Sequence, residues 1–219
     1  GCVSSNSINI TEPDIILFNA TVSSDYNGED VSCSGVSDGS ISLNIQGGTP
    51  GYNVSLDGGL TNSLVNQNSS INILGLSAVS YELLVTDQQG CSSVSQQILL
   101  TSPAPIVANP TPINPSCSEG DDGSITIFPT GGVPGYQIQW TNSLGTLIGT
   151  TNTINNLTAG IYNLTIQDQN NCIQTSQIVL TDPSPIQLLN VDVIDISCFG
   201  ADDGQINNVV IAGGQPGYQ

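Results

Sequence analysis

The chain of 219 residues contains no lysine, no arginine and no histidine. Methionine is also absent, and there is a single tryptophan. Charged residues make up 8% of the sequence, all of them Asp or Glu, so the formal net charge is -18. Each absence excludes a class of chemistry. Without Lys or Arg nothing can neutralise phosphates, so nucleic-acid binding is excluded, as is a basic patch for anionic lipid. A lysine Schiff base, a P-loop and an arginine clamp are impossible. Without His there is no Ser-His-Asp or Cys-His catalytic pair and no His-based zinc site. The six cysteines are scattered, which argues against an all-Cys zinc site. No apolar run is long enough to cross a membrane as a helix, so direct membrane insertion is not expected. The N-terminus shows no basic start followed by an apolar core, so no signal peptide is read there. Both ends are expected to be cuts through a longer molecule.

What is present is a repeat. Cys33-Ser-Gly-Val-Ser-Asp38-Gly39-Ser-Ile, followed by Gly47-Gly48-Thr-Pro50-Gly51-Tyr52, returns as Cys117-Ser-Glu-Gly-Asp121-Asp122-Gly123-Ser-Ile with Gly131-Gly132-Val-Pro134-Gly135-Tyr136. It returns again as Cys198-Phe-Gly-Ala-Asp202-Asp203-Gly204-Gln-Ile with Gly213-Gly214-Gln-Pro216-Gly217-Tyr218. The period is about 80 residues. Between these copies, Tyr81-Glu-Leu-Leu-Val-Thr-Asp87-Gln-Gln-Gly-Cys91 parallels Tyr162-Asn-Leu-Thr-Ile-Gln-Asp168-Gln-Asn-Asn-Cys172. Each then runs to Thr-Ser-Pro103 or Thr-Asp-Pro183, and Cys2 to Pro13 reads as the same tail. The expected organisation is therefore 1–12 as the end of one repeat, 13–102 and 103–182 as whole repeats, and 183–219 as the start of another.

Strand signals dominate. Ser40–Ile45, Ser124–Phe128, Tyr81–Val85, Tyr162–Ile166 and Gln177–Leu180 alternate apolar and polar residues with period two. The Gly-Gly-x-Pro-Gly elements read as breakers that fix hairpin turns, and Asp87–Gly90 and Asp168–Asn171 as tight turns between the last two strands. Short strands at regular spacing predict an all-β fold of tandem immunoglobulin-like β-sandwiches. The expected inward layer of the second repeat is Ile125, Ile127, Tyr136, Ile138, Trp140, Leu157, Tyr162, Leu164 and Ile166. Trp140, whose counterpart is Leu56, reads as a core aromatic rather than a ligand platform.

Cysteines in two spaced classes point to disulfides and an oxidising compartment. Sequence leaves three pairings open. Within repeats, Cys33 would pair with Cys91 and Cys117 with Cys172, leaving Cys2 and Cys198 to partners outside the chain. Across junctions, the pairs would be Cys2 with Cys33, Cys91 with Cys117 and Cys172 with Cys198. A third scheme joins one sandwich to a non-homologous position of its neighbour. The expectation adopted is the first, on the ground that a disulfide needs Cα atoms within about 7 Å while the second spans roughly a domain length. It requires that Pro103–Pro115 not be a true first strand.

These motifs, Cys-x-Gly-x-x-Asp-Gly-Ser-Ile, Gly-Gly-x-Pro-Gly-Tyr and Gly-x-Tyr-x-Leu-x-Ile-x-Asp-x-x-x-Cys, resemble the SprB-type repeat. The likeness covers both whole repeats and both partial ones. It departs at Gly51, Gly135 and Gly217, where that family often has a second proline, and at Leu56, where Trp is usual. The resemblance implies giant cell-surface adhesins of gliding Bacteroidetes exported by the type IX system. It also implies adhesion, filament form and display on the cell surface.

No cofactor is implied. Calcium is the one metal the carboxylates would suit, at Asp38, Asp121, Asp122, Asp202 and Asp203. The competing reading, an Asx-bonded turn before a strand, is preferred because no full ligand set with loop spacing is visible. Sequons at Asn9, Asn19, Asn53, Asn68, Asn156 and Asn163 are expected by chance in a chain so rich in Asn, Ser and Thr. The expected function is non-enzymatic: a stalk segment of an adhesin or filament, its partners being neighbouring repeats, other copies in a filament, or a surface polysaccharide. A carbohydrate-binding module is the alternative. A glycosidase using paired carboxylates is a third reading, disfavoured because the Asp pairs recur as a turn would.

Overall fold

Strict alternation of apolar and polar residues builds most elements of the computed structural model, which describes residues 2–57, 60–64 and 70–214. The third Pro-Gly-Tyr, Pro216 to Tyr218, and the sequon at Asn68 lie outside the described residues. Every regular element among the described residues is a β-strand. In the strand Gly39–Gln46, Gly39, Ile41, Leu43 and Ile45 are buried and the residues between them are not. Burying one such aliphatic side chain contributes about 1.5–3 kcal/mol, more than the whole span of about 1 kcal/mol in strand propensity. Packing therefore decides the conformation.

The chain divides into two units, Gly1–Pro105 and Ile106–Gln219. The first holds β1 (Leu17–Val22), β2 (Gly39–Gln46), β3 (Tyr52–Leu56), β4 (Leu60–Leu64), β5 (Ser70–Leu76), β6 (Ser80–Thr86) and β7 (Gln96–Leu99). They form two antiparallel sheets, β1-β2-β5 and β4-β3-β6-β7. Ile41, Leu43 and Ile45 of the first sheet share one core with Val54, Leu56, Leu83 and Val85 of the second.

The second unit repeats this plan with β8 (Pro110–Ile113), β9 (Gly123–Ile127), β10 (Gln137–Asn142), β11 (Leu147–Gly149), β12 (Thr153–Leu157), β13 (Gly160–Gln167) and β14 (Ile173–Leu180). Its sheets are β12-β9-β8 and β11-β10-β13-β14. In both units strands one, two and five oppose strands three, four, six and seven, which is an immunoglobulin-like sandwich. A separate antiparallel pair follows, β15 (Gln187–Ile194) and β16 (Gln205–Ala212). There the counterpart of fully buried Ile125, Ile206, is 69% exposed.

Sequence pattern located the long strands and most of the second core, including Trp140. Three expectations need correction. Gly-Gly-x-Pro-Gly does not close a hairpin, because β2 and β3, like β9 and β10, lie in different sheets; the element is a corner that carries the chain across the sandwich. Tyr136 is only half-buried, packing against the core rather than within it while its hydroxyl donates to the Gly131 carbonyl. Pro103–Pro115 does contain a true first strand, β8.

Candidate functional site

Each sandwich has two poles, and each pole carries one cysteine beside an aspartate that accepts backbone N–H bonds. At the first pole, the turn between β6 and β7 begins at Asp87 and the turn between β13 and β14 at Asp168. These are the buried charged side chains among the described residues, 3% and 2% exposed. A buried carboxylate is tolerated only when its oxygens are hydrogen-bonded. Asp87 Oδ1 accepts the Gln89 and Cys91 N–H groups at 3.0 and 2.8 Å, and Oδ2 accepts the Thr49 N–H at 2.9 Å. Asp168 does the same with Asn170, Cys172 and Val133, each at 2.9 Å. One side chain thus closes the cysteine turn and ties it to the Gly-Gly corner. The N–H of Thr49, assisted by those of Cys91, Gln89 and Gly90, holds the Asp87 carboxyl below its ordinary value against the opposing effect of burial.

The close approach explains the second glycine. A Cβ on Gly132 would lie 2.6 Å from Asp168 Oδ2, and Gly132 has φ +60°. A Cβ on Gly48 would meet Ile16 at 2.6 Å and Asp87 Oδ2 at 3.1 Å.

At the opposite pole the Cys-x-Gly loop turns back on itself. The Cys33, Cys117 and Cys198 carbonyls accept N–H bonds from Val36, Gly120 and Ala201 at 3.2, 3.0 and 3.1 Å. The aspartate of each Asp-Gly pair caps the loop: Oδ1 of Asp38, Asp122 and Asp203 accepts the N–H of Ser32, Ser116 and Ser197 at 3.0, 2.9 and 3.0 Å. The Ser116 and Ser197 hydroxyl and amide lower the Asp122 and Asp203 carboxyls. For Asp38, burial raises the carboxyl, but the Ser32 hydroxyl and amide outweigh it and the net shift is downward. The last strand ends at this pole too: Asp30 Oδ2 accepts the Thr101 N–H at 2.8 Å, and Asp182 Oδ2 the Glu119 N–H at 3.2 Å. The calcium candidates therefore divide. Asp38, Asp122 and Asp203 serve as turn caps, and Asp121 and Asp202 are exposed beside them. Among the described residues no group of three or more His, Cys, Asp or Glu side chains could hold a metal ion.

The pairings expected within repeats are not formed. Cys33 and Cys172 are disulfide-bonded, whereas Cys2, Cys91, Cys117 and Cys198 are exposed thiols. The reason is the first strand. With β8 in place, Cys117 lies at the pole where β14 ends and Cys172 at the pole where β14 begins, eight residues or about 26 Å away. In the first repeat the eight residues of β2 likewise separate the Cys33 loop from the Gly47-Gly48 corner beside Cys91.

Reading by pattern also missed a tyrosine corner. On β6 the Tyr81 hydroxyl accepts the Ser77 N–H at 3.0 Å and reaches the Ser77 carbonyl at 3.2 Å. On β13 the Tyr162 hydroxyl donates to the Thr158 carbonyl at 2.8 Å. A tyrosine near the start of the sixth strand, bonded to backbone four residues upstream, is a hallmark of immunoglobulin-like sandwiches. The signal was present in the tyrosine that opens each alternating run before the Asp turn.

No curated protein matches the chain. Among solved structures it is similar to a C-terminal fragment of intimin in complex with the intimin-binding domain of its translocated receptor, at 12% identity and TM-score 0.38. That likeness covers 83% of this chain and 67% of the other. A Dscam structure is 16% identical with TM-score 0.32, covering 78% of this chain and 46% of that one. The mouse nectin-like molecule 4 ectodomain is 15% identical with TM-score 0.32, covering 78% and 64%. The family model described as the SprB repeat matches residues 26–61 and 109–145, one stretch in each sandwich. Those matches support a SprB-type repeat in each of the two whole sandwiches.

Proposed function

We propose that this chain is a stalk segment of a large bacterial cell-surface adhesin or extracellular filament, serving adhesion and gliding and exported by the type IX system. The observation that carries the reading is duplication without chemistry. Two sandwiches of one topology succeed each other along the chain, and what they share is turn architecture. β15 and β16 reproduce the opening strands of both, with the Asp203 cap in place and Ile206 still uncovered. The carboxylates that recur are consumed by backbone N–H groups, which leaves them unsuited to acid or base work. The surface suits an exposed life: it offers trypsin no cleavage site, and its charged side chains are all carboxylates, which repel anionic cell surfaces.

A sugar-binding module needs exposed aromatic platforms. Trp140, Tyr52 and Tyr162 are buried, and the exposed aromatic side chains among the described residues are Phe128 and Phe199. Immunogold labelling of intact source cells with antibody to this chain tests the proposal. Label along projections outside the cell is expected; label confined to the interior overturns it. Glycan-array binding by the isolated chain would favour the sugar-binding alternative.

A further inference from the structure

The Asp-Gly motif holds a glycine that no turn explains. Gly39 opens β2 and Gly123 opens β9, and neither has positive φ. Each makes room for its neighbours. A Cβ on Gly39 would lie 2.5 Å from a Leu100 methyl, and one on Gly123 3.1 Å from a Leu180 methyl. The Leu76 and Leu157 carbonyls crowd the same positions at 2.9 and 2.7 Å. The end of the last strand is thus seated on the start of the second, and Leu100 and Leu180 are 1% and 2% exposed. Polar bonds fasten the same strand end. In the first sandwich the Thr101 N–H and hydroxyl donate to Asp30 Oδ2 at 2.8 and 2.9 Å, and the Thr101 carbonyl accepts the Val31 N–H at 3.1 Å. Within β7, Gln96 Nε2 donates to the Ala20 carbonyl at 3.1 Å and its Oε1 accepts the Ala20 N–H at 3.2 Å. One side chain thereby bridges the edge strands of the two sheets. In the second sandwich Asn114 Oδ1 accepts the Thr181 N–H at 3.0 Å and Asp182 Oδ2 the Glu119 N–H at 3.2 Å.

These fastenings join the strand by which the chain enters a sandwich to the strand by which it leaves. β1 starts beside the Gly47-Gly48 corner, where Leu17 faces Gln46, and ends where Val22 faces Ile41. β7 follows the Asp87 turn, which is tied to that same corner, and leads to Leu100 over Gly39. The two strands therefore run parallel, from one pole to the other. β8 and β14 do the same: Pro110 faces Ile127 and Ile113 faces Ser124, while β14 leads from the Asp168 turn to Leu180 over Gly123. Tension on the two ends of a sandwich pulls such strands past one another. All bonds between them are then loaded together, and none peels singly. We infer that each sandwich is a shear clamp, which holds tension along the chain between its entry and exit strands. The Gln96 bridge makes the first sandwich the stronger, because Ser176 stands at the matching position of the second. This deepens the stalk reading and rests on it only for the source of the tension.

The test is constant-force spectroscopy of the full chain held by two alternative pairs of handles. One handle is always the N-terminus. The other is introduced by Ala104→p-azidophenylalanine, beyond the exit strand, or by Gln89→p-azidophenylalanine, in the turn at the entry pole; both positions are exposed. The first pair shears β1 against β7, and the second pulls across one pole and peels them apart. Under one fixed load the sheared sandwich is expected to last longer than the peeled one. Gln96→Ala is expected to shorten the sheared lifetime about tenfold and to leave the peeled lifetime within about twofold. Equal lifetimes in the two geometries overturn the clamp, and that comparison needs no variant at position 96. No change under shear, or equal shortening in both geometries, removes Gln96 from it. The labelling experiment above fails independently: interior label would remove the stalk reading and leave the force measurement standing.

Discussion

The two whole sandwiches share a topology and differ in what fills them. In the first, Tyr52 and Leu56 both lie in the core at 4% exposure. In the second, the matching tyrosine, Tyr136, has moved to the rim, and Trp140 is fully buried with its Nε1 donating to the Thr151 carbonyl at 2.9 Å. A large aromatic thus stands in one repeat where the other has an aliphatic residue, four positions after a tyrosine that is buried in the first repeat and half-buried in the second. The turn contacts did not move: the aspartate of the cysteine turn and the aspartate cap recur with near-identical distances, and the corner tyrosine again bonds backbone four residues upstream. Volume in the core is negotiable between repeats. The hydrogen bonds that place the turns are not, because each satisfies backbone groups that no apolar substitute could.

The sharpest break in this comparison comes from substituting the matched core position in each sandwich. Trp140→Ala should destabilise the second sandwich by about 3–5 kcal/mol, and Leu56→Trp should destabilise the first by about 1–3 kcal/mol through overpacking. Denaturant unfolding followed by Trp fluorescence for L56W and by circular dichroism for W140A measures both. Equal tolerance of the two changes would show that the cores are not specifically packed.

Asp87 offers a pH handle on the shared part. Its folded carboxyl lies below its unfolded value, so its contribution is present above about pH 4, the unfolded carboxylate range, and is lost as pH falls through the folded value. Asp87→Asn should lower the melting temperature at neutral pH and flatten the decline seen on acidification. A melting curve whose acid dependence is unchanged by the substitution would remove the carboxylate from the account.

Removing the corner hydroxyls should have a smaller effect. Tyr81→Phe leaves the Ser77 N–H without its acceptor and should cost about 1–1.5 kcal/mol, with Tyr162→Phe, which loses a bond to a carbonyl, at about 1 kcal/mol. Thermal melts of the two variants rank them; the reverse order would mean that the carbonyl bond is the more important.

The smallest effect lies in the cysteine loop. The third residue of that loop adopts positive φ in every copy: Gly35 at 77°, Gly200 at 85° and Glu119 at 61°. Only the second repeat places a side chain there. Glu119→Gly should stabilise that repeat by about 0.5–1 kcal/mol, since relief of left-handed strain exceeds the entropy glycine adds to the unfolded chain. A lower melting temperature would show that the Glu119 side chain contributes more than its backbone costs.

The strands were legible because Ser40–Ile45 and its relatives alternate cleanly, and the all-β sandwich follows from them. Disulfide geometry was not legible, and the cause is local. Pro110-Thr-Pro-Ile113 reads as a linker because proline lacks an N–H, but β8 sits at the edge of its sheet, where that loss is tolerated. Once that segment became a strand, the pole assigned to Cys117 was reversed. The corner role of Gly-Gly-x-Pro-Gly was hidden for a related reason: a turn signal marks a reversal of the chain without saying whether the next strand joins the same sheet. The buried aspartates were visible only as turn residues. Their second oxygen reaches a residue 38 positions away in one repeat and 35 in the other, which no local pattern encodes.

The way those aspartates are held has an environmental consequence. In most proteins a buried carboxylate faces a cation, and dissolved salt weakens that attraction. Here amide dipoles do the work, and 18 negative charges have no positive partner in the chain. Added electrolyte can only quiet repulsion among them. Brackish or marine ionic strength, which loosens many charge-paired proteins, should leave this one firmer.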